Sequence, residues 1–152
     1  MTDFDALYRQ HSDPWQIRSS WYERRKRELL LACLPKEHYR KTLELGCGTG
    51  EMTAQLAQRS TAVHAVDLSP IALQRCHQHL KAMGIHNVHT SCVRVPEVWP
   101  IKEPCEFDLL VVSEFAYYLE DTEIDGFIEG CQRALEAGGD WLMCHYLPSF
   151  HD

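Results

Sequence analysis

The chain has 152 residues, of which 45% are hydrophobic and 24% charged, so we expect one globular domain spanning residues 1–152. Its formal net charge of −7 argues against a nucleic-acid partner, because a phosphate backbone requires a basic surface. No apolar run is long enough to cross a membrane and the seven cysteines form no C-x-x-C pair, so we expect a reduced, cytoplasmic protein with no membrane partner.

The predicted elements begin with a leading helical segment, residues 1–40. Its main helix covers about 20–34 and ends before Pro35. A basic run at 24–27 is flanked by Glu23 and Glu28, and this mixture of charges indicates a solvated helix face.

Strand-like and helical segments alternate along the rest of the chain. Strands are predicted at 41–45, 61–67, 87–92, 107–113 and 141–146, and helices at 51–59, 70–83 and from 122 onward. This alternation predicts an α/β fold, with a doubly wound, Rossmann-like parallel sheet and helices on both faces.

The helix ends carry local signals. Ser69 is expected to cap the helix that begins at Pro70, and Gly84 to end it. The apolar face of that helix would comprise Ala72, Cys76, Leu80 and Met83. Thr122 is expected to cap the last helix, and Gly138-Gly139 to turn the chain into the fifth strand. The inward positions of that last helix would be Ile124, Phe127, Ile128, Cys131 and Leu135.

The nine histidines form no metal-binding pattern. His77 and His79 are two positions apart on a predicted helix, so they point to different faces. Because no H-E-x-x-H or similar motif is present, we predict no metal site.

The motif E-L-G-C-G-T-G, residues 44–50, lies between a predicted strand and a predicted helix. Its glycines permit a tight turn and the close approach of a ligand to the backbone. In a dinucleotide fingerprint G-x-G-x-x-G the third glycine would fall on Glu51, whose carboxylate is a poor neighbour for a pyrophosphate. S-adenosylmethionine contains no phosphate and suits this loop better.

Asp67 ends the second predicted strand, where a carboxylate accepts hydrogen bonds from the hydroxyls of an adenosine ribose. Simpler roles stay open at this point. The glycines can form only a tight turn, Asp67 can cap a helix, and Glu44 can be merely exposed at a strand end.

The glycine motif, together with V-D-L-S at 66–69, resembles class I S-adenosylmethionine-dependent methyltransferases. D-P-W at 13–15, V-P at 95–96, W-P at 99–100 and F-D-L-L-V-V-S-E-F-A-Y-Y-L at 107–119 resemble the NodS-like subgroup. Its members are similar to the nodulation enzyme that N-methylates the amino sugar of a chitooligosaccharide signal.

The resemblance implies roles for individual positions. The loop would surround the methionine part of the cofactor through Glu44, Gly46, Cys47, Gly48 and Gly50. Asp67 and Leu68 would hold the ribose, and Tyr8 and Trp15 of the leading segment would cap the cofactor. Many relatives carry an aspartate for adenine where this chain has Arg94, so adenine recognition would involve the Val95 amide and the stem or guanidinium of Arg94. Ser113 would face the sulfonium, and the candidate catalytic residues at the acceptor are Glu114 and Tyr118.

The resemblance also concerns the end of the sheet. Relatives continue with two further strands in an antiparallel hairpin. No such strands follow the fifth predicted strand in this sequence, so we expect a C-terminally truncated chain with an exposed sheet edge and self-association through it.

These observations predict a methyltransferase that acts on an N or O atom of a small molecule, with an amino sugar or oligosaccharide as the leading acceptor. Methyl transfer needs alignment of the reactants more than a nucleophilic side chain. The alternatives are a non-catalytic S-adenosylmethionine-binding module and an NAD(P)-dependent oxidoreductase.

Overall fold

The computed structural model describes residues 2–146 and contains a five-stranded, wholly parallel sheet. The elements in chain order are α1 (Phe4–Gln10), α2 (Trp21–Cys33), β1 (Tyr39–Leu45), α3 (Glu51–Gln58), β2 (Ser60–Asp67), α4 (Pro70–Ala82), β3 (Val88–Cys92), β4 (Phe107–Ser113), α5 (Ile124–Ala134) and β5 (Leu135–Cys144). Single 3₁₀ turns lie at Ala116–Tyr118 and Asp121–Glu123. The predicted α/β, doubly wound architecture is confirmed.

The strand order is β3-β2-β1-β4-β5, so the chain reverses its direction of progress across the sheet between β1 and β4. Ligands of such sheets bind in the crevice at this reversal, outside the carboxyl ends of the strands. The topology therefore places the ends of β1, β2 and β4 around one site.

The two central strands are buried on both faces of the sheet. Leu43 of β1 and Leu110 of β4 belong to one apolar cluster, which α5 completes with Phe127. On the opposite face, Leu109 packs with Leu56 of α3 in a second cluster. Burying a side chain of this size contributes about 1.5–3 kcal/mol, so β1 and β4 form a rigid support for the residues that follow them.

Helix α4 begins as the sequence predicts, because the Ser69 hydroxyl accepts from the Ala72 amide at 3.1 Å. Ala72, Cys76 and Leu80 are buried, but the expectation for Met83 is wrong, since its side chain is 47% exposed. The helix ends at Ala82, which leaves Met83 as the capping residue beyond the last turn that packs on the sheet.

Helix α5 begins differently from the prediction. Thr122 lies within the 3₁₀ turn, and that turn is capped by a reciprocal pair in which the Glu120 amide donates to the Glu123 carboxylate at 2.8 Å. Helix α5 follows with Glu123 as its N-cap and with no side-chain capping hydrogen bond. The predicted inward residues Phe127 and Cys131 are buried, Ile124 is half-buried and Ile128 is exposed. Leu135 is not helical and begins β5 instead, which therefore starts before Gly138-Gly139 and passes through them.

No helix covers the connection from β3 to β4 within the described residues. Trp99 of this connection packs against α5 at Gly130, where an added Cβ would lie 2.0 Å from the indole. The strand β5 pairs with β4 on one side and has no other partner among residues 2–146. None of the helices in this range is both long and apolar enough to cross a membrane.

Candidate functional site

A cavity of about 400 Å³ opens at the carboxyl ends of β1, β2 and β4. The glycine loop, the ends of β2 and β4, the leading segment and one face of α2 form its walls. Every site residue expected from the sequence except Gly50 lines this single cavity. Gly50 instead lies against α4, where an added Cβ would be 2.6 Å from the Cys76 sulfur, so it supports the loop from behind.

The glycine loop has a backbone that other residues rarely adopt. Gly46, Gly48 and Gly50 have φ values of 73°, 55° and 89°, all in the left-handed region that favours glycine. The amides of Gly46 and Cys47 donate to the Val66 carbonyl at 2.8 and 3.0 Å. These hydrogen bonds fix the loop to the end of β2. The loop therefore does more than reverse the chain, because it also forms part of the cavity wall.

Asp67 is held by backbone donors on both sides. Its Oδ2 accepts from the Gly48 amide and its Oδ1 from the Ser69 amide, each at 2.9 Å. Burial raises the pKa of Asp67, and these hydrogen bonds oppose that rise. Because each carboxylate oxygen can accept a second hydrogen bond, the orientation leaves acceptor sites for two vicinal hydroxyls.

Glu44 is buried beneath the loop with 4% of its surface exposed, so the alternative of a merely exposed strand end is wrong. Its Oε2 accepts from the Thr53 hydroxyl at 2.6 Å. Burial raises the pKa of Glu44 to about 8, although the Thr53 hydrogen bond acts in the opposite direction. A cation placed beside this carboxyl would stabilise its ionised form and lower its pKa.

The leading segment contributes aromatic side chains to the cavity. Tyr8 is buried and its ring lies 5.6 Å from that of Trp15. Arg75 of α4 holds α1 in place by donating to the Tyr8 carbonyl and, at 3.0 Å, to the His11 carbonyl. Asp5 accepts from Ser69 at 2.5 Å, which joins α1 to the start of α4.

The guanidinium of Arg94 is paired with two carboxylates. It donates to both carboxylate oxygens of Glu123 at 2.5 and 3.1 Å and to Glu97 at 2.9 Å. These pairs raise the pKa of Arg94, mainly through the hydrogen bond with Glu123. Arg94 lines the cavity beside the buried Val95 while its guanidinium is held by these two carboxylates.

Glu114 follows β4 with a φ of 54°, an uncommon backbone for a residue with a side chain. Its Oε2 accepts from the Tyr146 amide at 3.1 Å, and its Oε1 lies 3.5 Å from the Lys26 ammonium. The carboxylate thus joins the end of β4 to the end of β5 and to α2. Tyr118, whose ring lies 4.9 Å from that of Phe4, borders the same wall.

The structure corrects the sequence prediction that the basic run of α2, residues 24–27, lies on a wholly solvated helix face. Arg24 and Arg25 are exposed as expected, but the Lys26 side chain is only 16% exposed and Arg27 is half-buried. Positions 23, 26 and 27 are spaced by three and four residues, so they share the helix face that borders the cavity.

Sequence reasoning missed several other residues that line the cavity. Among them are Phe4, Ile17, Tyr22, Glu23 and Lys26. The i, i+3 spacing of Glu23 and Lys26 was the available signal, but it shows only a shared face and not what that face contacts.

Glu51 also borders the cavity, at the first position of α3. Its carboxylate is 2.6 Å from Arg18 and 3.5 Å from His79. A pyrophosphate at this helix terminus would meet that carboxylate, so the structure supports the argument against a dinucleotide.

Comparisons with known proteins identify a matching family and similar chains. Residues 42–139 match the family described as a methyltransferase domain. The chain is 31% identical to nodulation protein S of Rhizobium tropici over 129 residues, which is 84% of this chain and 52% of that protein. It spans between half and two thirds of the length of three such nodulation proteins.

Two crystal structures extend the comparison. The N-methyltransferase NodS from Bradyrhizobium japonicum WM9, in complex with S-adenosyl-L-homocysteine, matches with a TM-score of 0.80 and 28% identity. That match covers 91% of this chain and 70% of NodS. A putative methyltransferase from Pseudomonas syringae matches with a TM-score of 0.70 and 38% identity, over 85% of this chain and 78% of its own.

Proposed function

The chain belongs to the methyltransferase family, and from this premise we propose that it transfers a methyl group from S-adenosylmethionine to an N or O atom of a small molecule. The observation that carries the proposal is Asp67, oriented by the glycine loop and by α4 at the reversal point of the sheet. An amino sugar or oligosaccharide is the leading acceptor, because the chain is similar to nodulation protein S and to NodS, an N-methyltransferase.

The residues around the cavity fit the parts of this cofactor. Asp67 would accept from the two ribose hydroxyls, and the buried carboxyl of Glu44 would pair with the α-ammonium group of the methionine part. The loop around Gly46, Cys47 and Gly48 would hold the rest of that part. Leu68, the Val95 backbone and the Arg94 stem would border the adenosine, and Tyr8 and Trp15 would cover it.

When bound, the cofactor supplies a methyl group on a sulfonium, whose sulfur leaves as a neutral thioether. Transfer would join the methyl carbon to the acceptor atom as the carbon–sulfur bond breaks, and the proton of the acceptor would pass to water or to the Glu114 carboxylate in the cavity wall. The cavity residues act by aligning the acceptor and excluding water, which together supply much of the rate. Ser113, Glu114 and Tyr118 border the space at the end of β4 where the acceptor would lie.

The oxidoreductase alternative is disfavoured by Glu51, since its carboxylate borders the helix terminus that would receive a pyrophosphate. The non-catalytic alternative makes a different prediction, namely cofactor binding without turnover of any acceptor. Methylated product from an acceptor panel separates it from the enzyme.

Calorimetry of S-adenosylhomocysteine and NAD with the wild type and Asp67→Ala tests the cofactor. Loss of charge-assisted hydrogen bonds should weaken S-adenosylhomocysteine binding by about 1.5–3 kcal/mol, and NAD binding should be undetectable. Asp108→Ala is a matched control, because Asp108 also accepts from two backbone amides, at 2.8 Å each, but lies outside the cavity lining. Micromolar NAD affinity, or equal effects of the two substitutions, would contradict the proposal.

A further inference from the structure

The guanidinium of Arg75 in α4 contacts the leading segment at several points. It donates to the Tyr8 carbonyl and, at 3.0 and 3.3 Å, to the carbonyls of His11 and Ser12. These carbonyls belong to the last turn of α1 and to the two residues after the helix, where a helix leaves its carbonyls without internal partners. Arg75 therefore caps the carboxyl end of α1 from another helix, with a charge that the helix dipole favours at that end.

The same guanidinium lies over a ring that reaches the glycine loop. Arg75 is 5.8 Å from the centroid of the Tyr8 ring, and the Tyr8 side chain is buried. The Tyr8 hydroxyl approaches the loop so closely that a Cβ added at Gly48 would lie 3.2 Å from it. The Gly48 amide in turn donates to Asp67 at 2.9 Å. A continuous series of contacts therefore links Arg75 to the carboxylate that would hold the ribose.

Helix α1 depends on such contacts for its structure. It has 7 residues, and a helix of this length is unstable in water by itself because its few hydrogen bonds do not offset the cost of nucleation. Ser69 donates to Asp5 at 2.5 Å, and Arg18 pairs with Glu51 at 2.6 Å, so polar contacts also attach the segment at other points. Local opening of α1 should therefore require much less free energy than unfolding of the sheet, and it is the first process that the loss of one contact affects.

We infer that Arg75 is a positioning residue for the cofactor. By holding the end of α1 it keeps Tyr8 against the glycine loop, and it thereby sets the rate at which S-adenosylmethionine and its product leave the cavity. Arg75 itself does not line the cavity, so its effect on the cofactor passes through α1. The inference rests on the proposed function and adds to it a control on cofactor exchange.

The test compares two arginines of the full chain that make the same kind of contact. Arg59, which follows α3, donates to the carbonyls of Leu31, Lys36 and Glu37 around the end of α2, and it does not line the cavity. Arg75→Ala should raise the dissociation constant of S-adenosylhomocysteine, measured by calorimetry, by about tenfold or more, because hydrogen bonds to a charged group are lost. Arg59→Ala removes a matching set of hydrogen bonds, so it should lower the melting temperature and leave the dissociation constant within about twofold.

Dissociation rates locate the effect in time. In stopped-flow displacement Arg75→Ala should release S-adenosylhomocysteine about tenfold faster than the wild type, while the association rate constant changes by less than about threefold. Arg75→Lys keeps the positive charge but lacks the fixed fork of donors, so its release rate should lie between those of the wild type and Arg75→Ala. If melting curves show that Arg75→Ala does not fold, Arg75→Lys and Arg59→Lys are compared in the same measurements.

A double-mutant cycle tests whether Arg75 acts through Tyr8. Tyr8→Ala should itself weaken binding, and removal of Arg75 from that variant should add less than about threefold, because the contact that Arg75 supports is already absent. Hydrogen exchange of the unliganded protein provides the structural counterpart. The amides of α1 should exchange about tenfold faster in Arg75→Ala than in the wild type, whereas those of β1 and β4 should exchange at unchanged rates.

Two kinds of failure are distinguishable in these measurements. Equal effects of Arg75→Ala and Arg59→Ala on the dissociation constant would overturn the inference, and so would full additivity with Tyr8→Ala or unchanged exchange in α1. Failure of S-adenosylhomocysteine to bind the wild type would refute the proposed function itself, whereas binding that is insensitive to Arg75 would refute the inference alone.

Discussion

Because the pKa of Glu44 is raised, we expect its carboxyl to release a proton when the cofactor binds. In the structure burial raises its pKa to about 8, against the effect of the Thr53 hydrogen bond. The α-ammonium group of S-adenosylhomocysteine, placed beside this carboxyl, stabilises the ionised form and lowers the pKa again. Binding near neutral pH should therefore release the proton that Glu44 carries in the unliganded protein.

The size of the effect follows from the two pKa values. At pH 7 a group with a pKa of about 8 is about nine-tenths protonated, whereas a carboxyl returned to the usual value of about 4.5 is almost fully ionised. Binding at pH 7 should then release about 0.9 proton. Linkage requires the association constant to rise about tenfold per pH unit between roughly pH 5.5 and 7.

Calorimetry in two buffers of different ionisation enthalpy counts these protons. Glu44→Gln, which retains a polar group facing Thr53, should show no proton release and little pH dependence of affinity over this range. The ligand 5′-methylthioadenosine is a second control, since it keeps the nucleoside and lacks the ammonium group. Release of less than about 0.3 proton by the wild type, or equal release by Glu44→Gln, would refute the reasoning, because burial predicts a largely protonated group.

The raised pKa of Glu44 also makes the stability of the folded protein depend on pH. The folded protein retains a proton that the unfolded chain loses above about pH 4.5, so the contribution of Glu44 to stability decreases as the pH rises to about 8. Melting temperatures of the unliganded wild type should fall over this interval more than those of Glu44→Gln.

Two further predictions concern packing and chemistry. Gly130→Ala places a methyl group 2.0 Å from Trp99 and should lower stability by about 1–3 kcal/mol, whereas Gly126→Ala on the same helix meets nothing within 4 Å and should raise it by about 0.5–1 kcal/mol. Thermal melts compare the pair, and equal melting temperatures would show that Trp99 does not pack closely on α5. Glu114→Gln should lower kcat by about 10²-fold if this carboxylate acts on the acceptor, while the dissociation constant of S-adenosylhomocysteine stays within about threefold. Full activity would remove Glu114 from the catalytic residues, and a large loss of cofactor affinity would assign it to the cofactor.

Most of the fold was predictable because its signals are local. Alternating apolar segments located all five strands, and Ser69 with Pro70 identified the start of α4 from the chemistry of one helix turn. Helix ends were less predictable where two signals compete. At the start of α5, the sequence offered Thr122 as a cap. In the structure Glu120 pairs with Glu123 instead, and a 3₁₀ turn that contains Thr122 precedes the helix.

The candidate site divides in the same way between sequence and tertiary structure. The glycine loop and Asp67 were identifiable because parallel strands bring their carboxyl ends together at one edge, whatever the details of packing. The burial of Lys26 was not identifiable, because a charged run on an isolated helix has the same pattern whether it faces water or a cavity. Only the packing of α2 beside the end of β4 buried Lys26 between Glu23 and Glu114.

By itself, the sequence determined the fold class, the order of its elements and the position of the glycine loop, because these depend on periodicity and on residues close together in the chain. The tertiary structure determined the burial that raises the pKa of Glu44 and the pairing of Arg94 with Glu123. It also decided which face of α2 belongs to the cavity. The physical reason is that burial and charge pairing depend on neighbours that are distant in sequence, and only the packed chain brings those neighbours together.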